Sequence, residues 1–160
     1  VNPTSSGPDG IDAAESHQPP PPGEGVEIPA WLRELSPGTL AERMGIEFTE
    51  IAAKRLVARM PVEGNTQPYG LLHGGASAVL AETLGSIGAQ LSAGPGAHAL
   101  GIELSCTHHR AVRNGYVTGV AAPIHVGRTV ATYEIVITDD EGRRVCTSRL
   151  TCLLRQGGDQ

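Results

Sequence analysis

The sequence predicts an α+β fold in which antiparallel strands wrap one long helix, and three observations carry this. From Leu72 to about Ala93, Val79, Leu80, Thr83, Leu84, Ile87 and Leu91 recur at intervals of three and four, the helical period. The rest of that segment is unusually small (Ala76, Ser77, Ala78, Ala81, Gly85, Ser86, Gly88, Ala89), so a sheet can approach it closely. Around it lie alternating, strand-like runs joined by short turns, two before and four after. Consecutive antiparallel strands curled around one helix form an α+β layout.

Residues 1 to 27 read as a tail rich in Pro, Gly, Ser and Asp, with Pro19 to Pro22 in a row. So few apolar residues cannot offset chain entropy, and a disordered segment with polyproline II character is expected. One domain is expected from 28 to 157. Pro29 to Leu35 reads as a short helix. Ser36-Pro37 reads as a cap and first-turn proline for a second helical turn, from Gly38 to Arg43. Gly45 to Ala52 and Arg55 to Pro61 are expected strands, with the turn at Lys54. Glu63 to Gly70 is a loop, and Gly94-Pro95-Gly96 ends the long helix. Four strands follow: Ala97 to His108, Gly115 to His125, Arg128 to Thr138 and Arg143 to Leu154. Asp139 to Gly142 turns between the last two.

Composition narrows the function classes. The chain has 160 residues, enough for one domain with a real core. Its net charge is −5, with a pI near 5.6, which argues against a general nucleic-acid binder. No run of apolar residues is long enough for a membrane span. Residues 1 to 25 have neither the basic start nor the apolar core of a secretory leader, so a cytoplasmic location is expected. Cys106, Cys146 and Cys152 fall in strand-like runs with no CxxC spacing. They read as buried thiols, neither metal ligands nor nucleophiles. Neither a metal nor a redox cofactor is expected.

The chemistry-bearing stretch is Asn65 to Ser86. His73-Gly74-Gly75 opens the long helix, where backbone N–H groups lack partners and the helix dipole is positive. Glycines there would let a carbonyl or oxyanion approach, which makes the Gly74 N–H a candidate oxyanion donor. The bland reading of His73 is a cap. Glu82 is a carboxylate in a helix otherwise small or apolar, which is costly unless paired, exposed or functional. Ala78, Glu82 and Ser86 share one face. Gly74 and Glu82 are separated by about 12 Å along the helix axis. One side chain cannot easily bridge that gap to a shared carbonyl, so Glu82 of one chain is expected to face Gly74 of another.

These residues resemble the hotdog-fold acyl-CoA thioesterases, in particular the phenylacetate-pathway and 4-hydroxybenzoyl-CoA branch with a Glu on the central helix. The similarity runs from Gly38 to Leu154 and rests on four ordered stretches: Asn65 to Gly75 with Ala81-Glu82-Thr83, Gly101 to Leu104 with His108-His109-Arg110, Pro123 to Arg128, and Cys146 to Thr151. The resemblance implies hydrolysis of an acyl-CoA to a free acid and CoA, with CoA as part of the substrate. It implies Glu82 as nucleophile or general base and the Gly74 N–H as oxyanion donor. Gln67, His73 and Ser86 would line the same site, with Asn65, Gly75 and His108 toward the substrate. His125, Gly127, Arg128 and Arg149 would lie near the CoA phosphates. It also implies a homo-oligomer, at least a dimer and by analogy a tetramer. His108 and His109, being adjacent in a strand, are expected on opposite faces, so that at most one lines the pocket. Two other readings compete: a hotdog dehydratase using His73 and Glu82, and a non-catalytic acyl-CoA-binding domain. Release of free thiol separates both from a thioesterase.

Overall fold

A computed structural model describes residues 27–156; the expected tail, apart from its last residue, lies outside the described residues, as does residue 157. Two short helices, α1 (Ala30–Leu35) and α2 (Leu40–Arg43), lead into the hairpin β1 (Glu47–Ala52) and β2 (Arg55–Pro61). The long helix α3 (Gly74–Ser92) is followed by β3 (Ala97–His108), β4 (Tyr116–Val126), β5 (Val130–Asp139) and β6 (Arg144–Gln156). Among the described residues, no helix is long and apolar enough to cross a membrane.

The expected cap at Ser36-Pro37 is corrected. Ser36 closes α1, its hydroxyl donating to the Leu32 carbonyl. The residue that caps α2 is Thr39, whose Oγ1 accepts from the Glu42 N–H at 3.3 Å. A hydroxyl can cap only the turn its own backbone enters, and the proline and Gly38, at φ 76°, intervene.

All six strands form one antiparallel sheet, but not in chain order: the sequence is β1-β2-β4-β5-β6-β3. After α3 crosses the sheet, β3 pairs with β6 at the far edge. The segment 109–115 then returns the chain to β2, where the Val62 N–H bonds to the Gly115 carbonyl at 2.9 Å. Among the described residues β3 is therefore an edge strand, open on one side.

One face of the sheet closes on α3. Leu80 and Leu84 of the helix meet Leu56, Met60, Tyr133, Ile135 and Leu150 of the strands, all essentially inaccessible to water. The expected close approach is present, and glycines make it possible. A β-carbon on Gly88 would lie 2.7 Å from Tyr133 Cε1, and one on Gly119 would lie 2.6 Å from Leu84 Cδ1. Gly88→Ala is therefore expected to destabilise by about 1–3 kcal/mol, the usual scale of overpacking. Its better helix propensity recovers only about 1 kcal/mol. A shift of the urea midpoint to lower concentration checks this; an unchanged or higher midpoint would mean the contact yields freely.

The cysteines behave as core residues. Cys146 and Cys152 are buried, Cys106 is half-buried, and all three are free thiols. Burial pushes the Cys146 and Cys152 thiols up, away from the reactive thiolate.

Candidate active site

The site begins with a tight loop. Gln67-Pro68-Tyr69-Gly70 makes a β-turn closed by the Gly70 N–H on the Gln67 carbonyl at 2.9 Å. Gly70 then takes φ 73°, a conformation that favours glycine. A bridge between Thr66 and Leu72 closes the loop. The Leu72 N–H bonds to the Val112 carbonyl at 2.8 Å, pinning the loop to the segment after β3. Asn65, expected toward the substrate, tethers the loop: its amide nitrogen donates to the carbonyls of Met44 and Pro61, both at 2.9 Å. Its own carbonyl accepts from the His73 N–H at 2.9 Å, which sets where the helix starts.

His73 is the N-cap of α3. Its Nδ1 accepts from the Gly75 N–H at 2.8 Å, so the neutral ring carries its proton on Nε2. This separates the roles of the two glycines. A β-carbon on Gly75 would sit 2.9 Å from His73 Nδ1, so Gly75 makes room for the cap. A β-carbon on Gly74 would sit 2.9 Å from His108 Nε2, so the missing side chain lets the imidazole of β3 lie over the helix start. The Gly74 N–H has no hydrogen-bond partner among the described residues. It borders a cleft of about 400 Å³, shared with Gln67, Ser77, His108 and Arg110. Gln67 Oε1 is occupied by the Tyr69 N–H at 2.7 Å, which leaves its amide nitrogen free to donate. The cleft thus offers a helix-terminal N–H, an amide donor and an imidazole around one space.

His109 also borders this cleft, so the expectation that only one of the two histidines could do so is corrected. Strand alternation fails here because β3 ends at His108. The chain then turns, and the His109 ring meets Thr147 Oγ1 at 3.0 Å. Ser77 and Arg110 were not identified from sequence. Ser77, three residues after Gly74, was accessible from helical spacing; Arg110 lies past the strand end, where no periodicity applies.

Glu82 is not part of this cleft wall. It is exposed on the less buried face of α3, with Ser86 one turn on. Its carboxylate lies against β3 at Gly101, where a β-carbon would come 3.5 Å from Oε1. Ser86 lies beside the Cys152 thiol and partly offsets the rise that burial gives it. Gly74 and Glu82 thus occupy separate surfaces of one chain, as their axial spacing requires.

The residues expected at the CoA phosphates are more distant. The row Val126–Ala131–Cys152–Gly101 puts the hairpin carrying His125, Gly127 and Arg128 level with Gly101. The His108 end of β3 is about 23 Å further along the strand. His125 folds back over Gly127, where a β-carbon would lie 2.7 Å from its Nε2. Arg149 faces away from α3 and is 3.5 Å from Glu103. Both partners are about half exposed, so the pair adds little stability.

Residues 69–146 match the profile of the family described as the Thioesterase superfamily. The chain is 54% identical over 121 residues to the proofreading thioesterase EntH of Cronobacter turicensis, a match spanning 75% of this chain and 88% of that protein. Among solved structures, a thioesterase of Haemophilus influenzae superposes with a TM-score of 0.77 at 35% identity, covering 81% of this chain and 91% of that one. A mutant thioesterase of Pseudomonas aeruginosa superposes with a TM-score of 0.74 at 38% identity, covering 78% and 91% respectively.

Proposed function

Because the chain belongs to the thioesterase superfamily, with the hotdog fold and thioester hydrolysis that go with it, we propose that it hydrolyses acyl-CoA thioesters at a site shared between two copies. The observation that carries this reading is the unpartnered Gly74 N–H in a cleft with Gln67 and His108, while Glu82, the helix carboxylate, faces elsewhere. In the proposed reaction the thioester carbonyl accepts from the Gly74 N–H of one copy. That N–H stabilises the negative charge that develops on the oxygen. Glu82 of the second copy attacks the carbonyl carbon, or takes a proton from the water that attacks it. The C–S bond breaks and the CoA thiolate leaves and is protonated; where Glu82 has attacked, water then cleaves the acyl–Glu82 anhydride and restores the carboxylate, and by either route the acyl group departs as the acid. No metal or redox group takes part.

The edge of the sheet supports the second copy. β3 is 12 residues long, is unpaired on its outer side among the described residues, and carries Leu100 and Ile102 at 48% and 59% exposure. A long, apolar, unprotected edge invites pairing. Glu82 lies beside the middle of β3, and Gly74 beside its end. Antiparallel pairing of two β3 edges would carry the Gly74 end of each copy toward the Glu82 half of the other. The dimer, and a tetramer of two such dimers, are part of the proposal. So are contacts of His125, Gly127 and Arg128 with the CoA phosphates; Arg149 would first have to leave Glu103.

The test is thiol release from benzoyl-, phenylacetyl-, hexanoyl- and palmitoyl-CoA. Turnover of at least one is expected. A protein that binds these esters and releases no thiol would sink the reading.

A further inference from the structure

A glycine inside a strand gives up side-chain packing and chain entropy, so its presence needs a reason. Among the described residues nearly every glycine has one. Eight take a positive φ. Six more would set a β-carbon 2.6–2.9 Å from another side chain. Gly101, within β3, is the exception. Its φ lies outside the left-handed region. A β-carbon there would meet Glu82 Oε1 at 3.5 Å and Leu150 Cδ1 at 3.6 Å, both ordinary contact distances. The irregularity that follows does not require glycine either. The register shifts between Gly101 and Glu103, and a bulge demands glycine where the chain turns left-handed, which Gly101 does not. Neither the backbone nor the packing of this chain excludes an alanine at 101.

The space left open lies against the carboxylate that the proposed reaction uses. A reacting carbon must come within about 3–3.5 Å of the oxygen that attacks it. A β-carbon at 101 would stand at that distance from Glu82 Oε1, and so in a place the substrate needs. The floor is apolar. Leu150 lies beneath, and Cys152, directly opposite Gly101 in the strand register, faces the same side of the sheet; both are buried. Gly101 and Glu82 are themselves exposed, so the space opens to solvent. It is the room of a small side chain, set beside the reacting centre. A straight acyl chain presents only two hydrogens on the carbon next to its carbonyl, whereas a branch or a ring at that carbon needs the extra width.

We propose that Gly101 determines specificity: the space it leaves open takes the substituents on the acyl carbon next to the thioester carbonyl, and so admits acyl groups that are branched or cyclic there. The proposal rests on Glu82 acting at the thioester carbon. The experiment measures kcat/KM for wild type, Gly101→Ala and Gly101→Val on two pairs of esters, butyryl- with isobutyryl-CoA and hexanoyl- with benzoyl-CoA. It adds calorimetric titration with the corresponding thioethers, which carry CH2 in place of the carbonyl and cannot be hydrolysed, together with a urea melt and solution mass. Wild type should turn over at least one of the broad esters. In Gly101→Ala the ratio of kcat/KM, broad to straight, should fall about tenfold, the low end of what one methyl in a pocket discriminates, and further in Gly101→Val. The urea midpoint of Gly101→Ala should stay or rise, since alanine loses less chain entropy than glycine. Equal losses on both members of each pair, or a wild type confined to the straight esters, overturn the proposal. A lower urea midpoint or a lower mass in Gly101→Ala overturns it too, by making the glycine a requirement of folding or of pairing between copies. If no thioester is hydrolysed while Gly101→Ala selectively weakens binding of the broad thioethers, the assignment of Gly101 stands and the proposed function falls instead.

Discussion

Glu82→Ala is expected to lower kcat by at least about a hundredfold on every thioester the wild type hydrolyses, the scale of a lost acid–base group. The fold should survive, because Glu82 is exposed and makes no ion pair or hydrogen bond among the described residues. Exposed substitutions without such contacts usually shift stability by less than about 0.5 kcal/mol. Thiol release together with a thermal melt distinguishes the outcomes. A folded variant as active as wild type would remove Glu82 from the mechanism, and an unfolded one would mean its carboxylate is structural. Glu82→Gln keeps the shape and should be comparably inactive, since an amide neither attacks nor accepts a proton at neutral pH.

Gly74→Ala should cost about a hundredfold by a different route. The added methyl meets His108 Nε2 at 2.9 Å, so the imidazole must move, and the methyl narrows the approach to the N–H. Misplacing a reacting carbonyl by about 1 Å carries a loss of that order. The two variants together test where the site is built. If Glu82 and Gly74 act across two copies, a mixed dimer of Glu82→Ala and Gly74→Ala chains contains one site with both residues intact. Co-expressing the two chains with different tags and purifying through both should therefore recover activity that neither variant has alone. Mixed dimers as inactive as the parents would mean that each chain uses its own Glu82 and Gly74.

Much of this protein is legible in its sequence. The small residues between Leu72 and Ala93 were enough to expect a helix closely wrapped by a sheet, and Gly85, Gly88 and Gly119 now touch Leu150, Tyr133 and Leu84. Helix and strand periods depend only on where each successive side chain points, which is local information. The cap expected at Ser36-Pro37 falls at Thr39 for a related reason: hydroxyl and proline suit a helix start at either position, and only backbone geometry selects Thr39.

The candidate site divides the same way. By itself the sequence determined the Gly-Gly helix start, the unusual carboxylate at Glu82, and their separation of about 12 Å along the helix axis. Only the tertiary structure decided that His73 Nδ1 caps the Gly75 N–H and that Asn65 ties down a loop. Only it brought His108, His109 and Arg110 to Gly74, from 34 or more residues away in sequence. Strand order was likewise beyond reach, because whether β3 joins β2 or the far edge depends on which backbone edge is left free once α3 has crossed the sheet. Hydrogen-bonding edges are identical for every sequence, so their partners are chosen by the packing of the whole chain rather than by the residues that carry them.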